Sequence, residues 1–222
     1  MSAELIEKLL ILYDNRLDEI QMLQNQVHDF FKLNKILNTG TPASIHSLKS
    51  RVKSREHLKE KLIRKSKRNE LIDESNFFDK ITDLAGVRVI HLHQEQFILI
   101  NEAINEQCDK KNWVLVENPK AYTWDPESKE FFEKLGLEVY QKESSYTSIH
   151  YLVKPHAEFP FCCEIQVRTL FEEIWGEIDH SINYPVATTS IAIREQLRVL
   201  AKLVGAGSRL ADAIFRTHSD LM

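Results

Sequence analysis

The stretch FCCEIQVRTLFEEIWGEIDH, Phe161 to His180, joins two periodicities. Over Phe161–Thr169 polar and apolar residues alternate: Glu164, Gln166 and Arg168 fall on one side, Cys163, Ile165 and Val167 on the other. Period two marks a strand, because successive side chains leave a pleated backbone on opposite faces. From Leu170 the pattern turns helical. Just upstream, YTSIHYLV (Tyr146–Val153) alternates as well, with Tyr146, Ser148 and His150 opposite Thr147, Ile149 and Tyr151. The short connection KPHAEFP predicts an antiparallel hairpin. One face of it suits a core. The other gathers an acid, an amide, a base, a phenol and an imidazole, which would be costly to bury unpaired. Such a face either meets water, as antiparallel sheets often do, or binds a ligand. A nucleotide fits it, with a base on the ring and phosphate on Arg168.

Working outward, GVRVIHL (Gly86–Leu92) is β-branched, follows ITDLA, and predicts a buried strand entered through a turn. QEQFILINEAINEQC reads as a helix and WVLVE (Trp113–Glu117) as a short strand. NPKAYTWDPESKEFFEKLG, with two prolines, reads as a long loop or a loop with a short helix, and long loops in domains are often functional. Ala3 to about Ile36 carries apolar residues at helical spacing, which predicts one or two amphipathic helices ended by NTGTPAS. Two further helical patterns follow Leu170. The expected fold is α/β (α+β), a mixed sheet flanked by helices. The expected organisation is one domain: N-terminal helices over 1–48, a core over 49–184 and a C-terminal helical segment over 185–222.

The 222 residues are 43% hydrophobic and 28% charged, with a net charge of −4, so any anionic ligand needs a local basic patch. Residues 49–68 supply one: ten Lys and Arg against Glu56 and Glu60, a local +8 that leaves −12 for the rest. Lys53, His57, Lys61 and Lys65 recur every four residues, the spacing of one helix side. Three cysteines without a spaced framework argue for a reducing compartment and inert thiols. The N-terminus is neither a secretion signal nor a membrane span, so a cytoplasmic, non-membrane protein is expected.

Asp83 stands before the Gly86 strand, with Arg88 five residues on. Alone it is a turn or cap aspartate. Beside Glu164 on a neighbouring strand, the two carboxylates could share Mg²⁺, which takes oxygen ligands and substrate phosphates. His28-Asp29 and Asp179-His180 are tempting metal pairs, but the N-terminal part has no companion ligands, and His28 reads as a surface histidine.

SRVKSREHLKEKL, ITDLAGVRVI, YTSIHY, EIQVRTL and WGEIDHSINY, in this order over residues 50–184, resemble the synthetase domain of the RelA/SpoT family, especially its small single-domain alarmone synthetases. The resemblance implies a nucleotidyltransferase-like fold and transfer of the β,γ-pyrophosphate of ATP to the ribose 3′-hydroxyl of GDP or GTP, with Mg²⁺. It implies that Arg51, Lys53, Lys61 and Arg88 contact ATP phosphates and that Asp83 and Glu164 are the catalytic, metal-holding carboxylates. It places Tyr146, His150, Lys142, Gln166 and Arg168 at the acceptor, with Tyr146 stacked on its base.

The chain departs from the family pattern around that tyrosine. Ser145 replaces a common glycine and Thr147 a common basic residue; His57 stands for a serine, Gly176 for an alanine and Asp179 for a glutamate. The acceptor therefore stays open between GDP or GTP, an adenosine nucleotide and the 3′ end of tRNA, the target of toxic small members. A non-catalytic nucleotide-sensing module is the alternative of a different class. The family's hydrolase domain is not matched, so no alarmone breakdown is expected. Small members often form homo-oligomers, although the C-terminal helix could equally pack within its own chain. The chain stops at THSDLM without an evident ending, which leaves open an antitoxin or regulatory segment beyond it.

Overall fold

The N-terminal periodicity resolves, in a computed structural model describing residues 1–142, 144–184 and 186–220, into α1 (Ala3–Asp14) and α2 (Leu17–Leu33). A single turn, α3 (Lys35–Asn38), follows. Ser2 starts α1 by accepting from the Leu5 amide, which satisfies one of the donors a helix leaves open. Ile6, Leu9, Leu10 and Tyr13 of α1 and Ile20, Leu23, Val27 and Phe31 of α2 are buried, the stripe that the spacing predicts.

The basic segment is not one helix. Ser47–Val52 is an edge strand, β1, and α4 (Arg55–Lys67) begins after the N-cap Ser54. Lys53 sits in the connection, so it does not share a helix side with His57, Lys61 and Lys65. Lys49, Arg51 and Lys53 alternate, a period-two signal that the every-fourth pattern from Lys53 hid. The charge also finds acids from other elements. Arg55 meets Glu7 and Asp14 of α1, Lys65 meets Glu70, and Lys53 and Lys61 meet Asp83.

After a short α5 (Phe77–Lys80) come β2 (Ala85–His91), α6 (Phe97–Asp109) and β3 (Val114–Leu115). The expected long loop is structured: β4 (Lys120–Thr123), α7 (Pro126–Lys134) and β5 (Glu138–Gln141). Asp125 caps α7 by accepting from the Ser128 amide at 3.0 Å, with Pro126 at the first helical position, where no amide is needed. Gly136, at φ +76°, takes the left-handed turn after it. The hairpin is antiparallel, as expected, from β6 (Ser148–Lys154) and β7 (Cys163–Thr169). Tyr146 and Thr147 precede β6 and are not strand residues. Glu143, Pro185 and the last two residues, which fall in expected segments, lie outside the described residues.

Thr169 ends β7 and starts α8 (Leu170–Asn183) through a capping box with Glu172; α9 (Ile191–Asp220) completes the fold. The seven-stranded sheet runs β1-β2-β7-β6-β4-β5, with β3 on β6. Strands β2 and β7 at its centre are parallel, as are β4 and β5, and the other pairs are antiparallel. Register puts Lys49, Arg88, Gln166 and His150 in one cross-strand row and Arg51, Gly86 and Glu164 in the next.

Val87, Val89, Ile165, Val167, Ile149 and Tyr151 point the other way, into the main core with α1, α2, α4 and α6. A smaller cluster on the polar side joins Trp175 of α8 to Ala201 and Val204 of α9, with Trp124, Tyr146, Phe171 and Leu200 against it. Here α9 approaches α8 at Gly207, where a Cβ would fall 2.8 Å from the Phe171 ring. Helix propensity alone favours alanine over glycine by about 1 kcal/mol. We nevertheless expect Gly207→Ala to lower the melting temperature, because forcing a methyl into packed rings costs about 1–3 kcal/mol. An unchanged or raised Tm would show that the helices part without penalty.

Candidate active site

The polar sheet face and α8 enclose a cavity of about 490 Å³. Its wall includes Arg51 and Arg88 from β1 and β2, Glu164, Gln166 and Arg168 from β7, and Tyr146. Glu164, Gln166 and Arg168 are the residues that alternation had set on one face, and cross-strand register brings Arg51 and Arg88 beside them.

Glu164 is the centre of a hydrogen-bonded chain. Gln166 Nε2 donates to Glu164 Oε2 at 2.8 Å, and His150 Nδ1 lies 3.1 Å from Oε1. His150 Nε2 lies 3.0 Å from the Tyr146 hydroxyl. In the tautomer with Nδ1 donating to the carboxylate, Nε2 accepts a hydrogen bond from the Tyr146 hydroxyl. Burial pushes the Glu164 carboxyl up, but the His150 and Gln166 contacts outweigh it and hold the group below its ordinary value.

Asp83 lies where the chain enters β2. Lys53 Nζ is 3.0 Å from its Oδ2 and Lys61 Nζ is 2.7 Å from its Oδ1. Burial raises the Asp83 carboxyl, yet the two ammonium groups more than offset this and leave it below the ordinary value. Burial lowers Lys53, only partly opposed by Asp83. The Asp83 charge in turn pushes Glu164 up, so the two carboxylates share one electrostatic field. Asp83 Oδ1 is buried and receives no well-directed hydrogen bond, despite its contact with Lys61. Two carboxylates in one field, one with an undirected buried oxygen, are the donor type that Mg²⁺ requires, and the residues fit it.

The cavity wall also pairs an aromatic ring with a cation. The Arg168 guanidinium lies 5.8 Å over the Tyr146 ring. Burial raises the Tyr146 phenol and Arg168 opposes the shift. Gly176 of α8 makes room for that guanidinium, since a Cβ there would sit 2.7 Å from Arg168 Nη1. Arg51 is exposed and makes no ion pair among the described residues.

Not every expected residue lines the cavity. His150 stands behind Tyr146 and Glu164, and Lys53, Lys61 and Asp83 form an adjoining cluster. Lys142 is further off: its ammonium lies 4.4 Å over Tyr122, whose ring meets the His150 edge at 5.0 Å. Asp179 and His180 do reach the wall, with Asp179 accepting from Asn183 at 2.8 Å and His180 stacked on Tyr184 at 4.6 Å. His28 is a surface residue paired with Asp29. The sequence reading missed Lys49, Glu173 and Glu177. Lys49 was legible in the alternation of β1, and the two glutamates in their i, i+4 spacing on α8.

A family profile described as "Region found in RelA / SpoT proteins" matches residues 50–189. The chain belongs to the RelA/SpoT family. Among solved structures, a GTP pyrophosphokinase family protein from Streptococcus pneumoniae is 20% identical, covering 100% of this chain and 97% of that one, with a TM-score of 0.67. The small alarmone synthetase 1 from Bacillus subtilis bound to its product pppGpp is 19% identical over 94% of this chain and 96% of that one, with a TM-score of 0.65. The same protein bound to AMPCPP is 19% identical over 95% of each chain, with a TM-score of 0.62. At these identities the likeness is one of fold, and it confirms the mixed sheet flanked by helices. No curated protein matches the chain. Among the described residues no helix is long and apolar enough to cross a membrane.

Two of the RelA/SpoT departures have visible surroundings. Thr147 is buried, with its hydroxyl 3.0 Å from that of Thr123, a position where a basic side chain would lack solvent. His57 is in the first turn of α4 and faces Tyr184 edge-on at 6.2 Å.

Proposed function

We propose that the protein is a Mg²⁺-dependent pyrophosphotransferase that moves the β,γ-diphosphate of ATP to the 3′-hydroxyl of GDP or GTP. One observation carries this reading. A single cavity is lined by the cations Lys49, Arg51, Arg88 and Arg168, by the Tyr146 ring and by the Glu164 carboxylate. The RelA/SpoT family and the fold agree with it, as do the pppGpp and AMPCPP bound by similarly folded proteins.

In this reading ATP lies along β1 and the start of α4, with Arg51, Lys53, Lys61 and Arg88 on its phosphates. The acceptor base stacks on Tyr146, with His150, Gln166 and Arg168 fixing that half and Lys142 acting at longer range through Tyr122. The acceptor 3′ oxygen bonds to Pβ as its hydroxyl proton passes to solvent. The bond from Pβ to the α,β-bridging oxygen breaks, and AMP leaves with that oxygen. Asp83 and Glu164 would hold Mg²⁺, which would neutralise the triphosphate charge when bound. Glu164, held by His150 and Gln166, serves in this reading as oxygen ligand and orienter.

An acceptor screen tests the substrate. With γ-labelled ATP and Mg²⁺, label is expected on GDP or GTP and on neither AMP, ADP nor deacylated tRNA. Transfer to tRNA is the second reading. It is favoured by Lys59, Arg64 and Lys67 of α4 and by its C-cap Arg68, which are exposed without ion pairs among the described residues. Label on tRNA alone would establish it. ATP bound but no label on any acceptor would favour a sensing module or an enzyme awaiting an activator.

Tyr146→Ala is expected to raise the acceptor KM about tenfold or more, because one base stack is worth about 1–3 kcal/mol. ATP affinity, measured by titration, should stay within about twofold of the parent. Loss of ATP binding with acceptor binding intact would mean that the two subsites are exchanged.

A further inference from the structure

Three cations of the cavity converge on one buried carboxylate. Glu173 Oε1 is 2.7 Å from Lys49 Nζ and 2.8 Å from Arg88 Nη1, and Oε2 is 2.9 Å from Arg168 Nε. One helical turn on, Glu177 Oε1 touches two of the same cations, Arg88 at 3.0 Å and Lys49 at 3.4 Å. The two acids are i, i+4 on α8 and so share a face. Their surroundings differ sharply: the Glu173 side chain is 5% exposed, that of Glu177 58%.

We propose that Glu173 is the fixed positioning anchor of these cations, and that Glu177 is an internal competitor that covers Arg88 and Lys49 until nucleotide phosphate displaces it. The inference rests on the nucleotide reading of the cavity. A buried acid shared by three cations cannot leave without exposing all three to mutual repulsion, so Glu173 stays in place. An exposed acid on already paired cations is held weakly, as surface pairs are, and yields to a multiply charged phosphate. Phosphate entry is then an exchange of anions on Arg88 and Lys49. Its barrier screens out weakly charged ligands, which gives Glu177 a part in selectivity for di- and triphosphates. Were the contacts only a tether of α8 to the sheet, removing either acid would loosen the cavity and weaken binding.

The test is titration of ATP, GTP and inorganic tripolyphosphate, each with Mg²⁺, into the parent, Glu177→Gln and Glu173→Gln, with transfer kinetics alongside. Glu177→Gln is expected to tighten all three ligands about fivefold, the scale of a released surface pair, and to steepen the loss of affinity with added salt. Glu173→Gln is expected to lower kcat more than it changes KM, since the cations remain but lose their placement. Unchanged or weaker binding in Glu177→Gln, or a Glu173→Gln protein whose KM changes more than its kcat, would overturn the proposal. Should Glu173→Gln fail to fold, the exposed Glu177 variant still decides. If the parent labels no acceptor but Glu177→Gln still tightens tripolyphosphate, the nucleotide reading fails while this exchange stands.

Discussion

Glu164→Gln is expected to cut pyrophosphoryl transfer by roughly 10²–10⁴-fold, the range for loss of a positioned catalytic group, while leaving the fold intact. The substitution keeps volume and a carbonyl oxygen for His150, which lies 3.1 Å from the present carboxylate. It removes the charge and places an amide NH₂ where Gln166 Nε2 now donates at 2.8 Å. One of those two amides must turn, a local change at the cavity wall and not in the main core. The check is initial-rate kinetics with labelled ATP, beside circular dichroism and ATP titration. A variant within a few fold of the parent would remove Glu164 from the site's chemistry.

The second large effect is expected at Asp83, and it has two parts. Asp83→Ala should abolish transfer and also destabilise the protein by about 3 kcal/mol, the low end for breaking a buried ion pair by removing one partner. Lys53 is 8% exposed, so it cannot turn to solvent when its acid disappears. Its ammonium is already lowered by burial, and shedding the proton limits the loss. Asp83→Asn keeps an oxygen for Lys53 or Lys61 and should fall between the parent and Asp83→Ala in thermal unfolding, with transfer still lost. An Asp83→Ala protein as stable as the parent would contradict the buried clamp. One that transfers normally would contradict the carboxylate pair.

Where the sequence could be read, it was through periodicity. The β6–β7 hairpin was legible because polar and apolar residues alternate over Ser148–Tyr151 and Cys163–Arg168, and that alternation also set Glu164, Gln166 and Arg168 on the cavity side. Strand β1 was hidden by its own charge: the four-residue recurrence from Lys53 imitates a helix face, although Lys49, Arg51 and Lys53 alternate. Strands β4 and β5 have four residues each, too few to show a period, and Pro119 and Pro126 around β4 suggest a loop. The contacts of Glu173 were not legible at all. Its partners Lys49 and Arg88 lie on an edge strand and on the strand beside it, and only the parallel crossover from β2 to β7 and the start of α8 bring them together. The surplus of +8 likewise loses its force once Glu7, Asp14 and Asp83 fold against it. Lys142 was placed at the acceptor by resemblance, but its cation rests on Tyr122, one ring away from His150.

The most direct measurement of the central claim is the fate of the donor. With ATP, Mg²⁺ and GDP or GTP, the products are resolved by anion-exchange chromatography and their phosphorus positions by ³¹P NMR. Pyrophosphoryl transfer predicts one AMP released for each guanosine nucleotide that gains a diphosphate on its 3′ oxygen. Release of ADP with a single phosphate transferred, or AMP with free pyrophosphate and an unmodified acceptor, would contradict it.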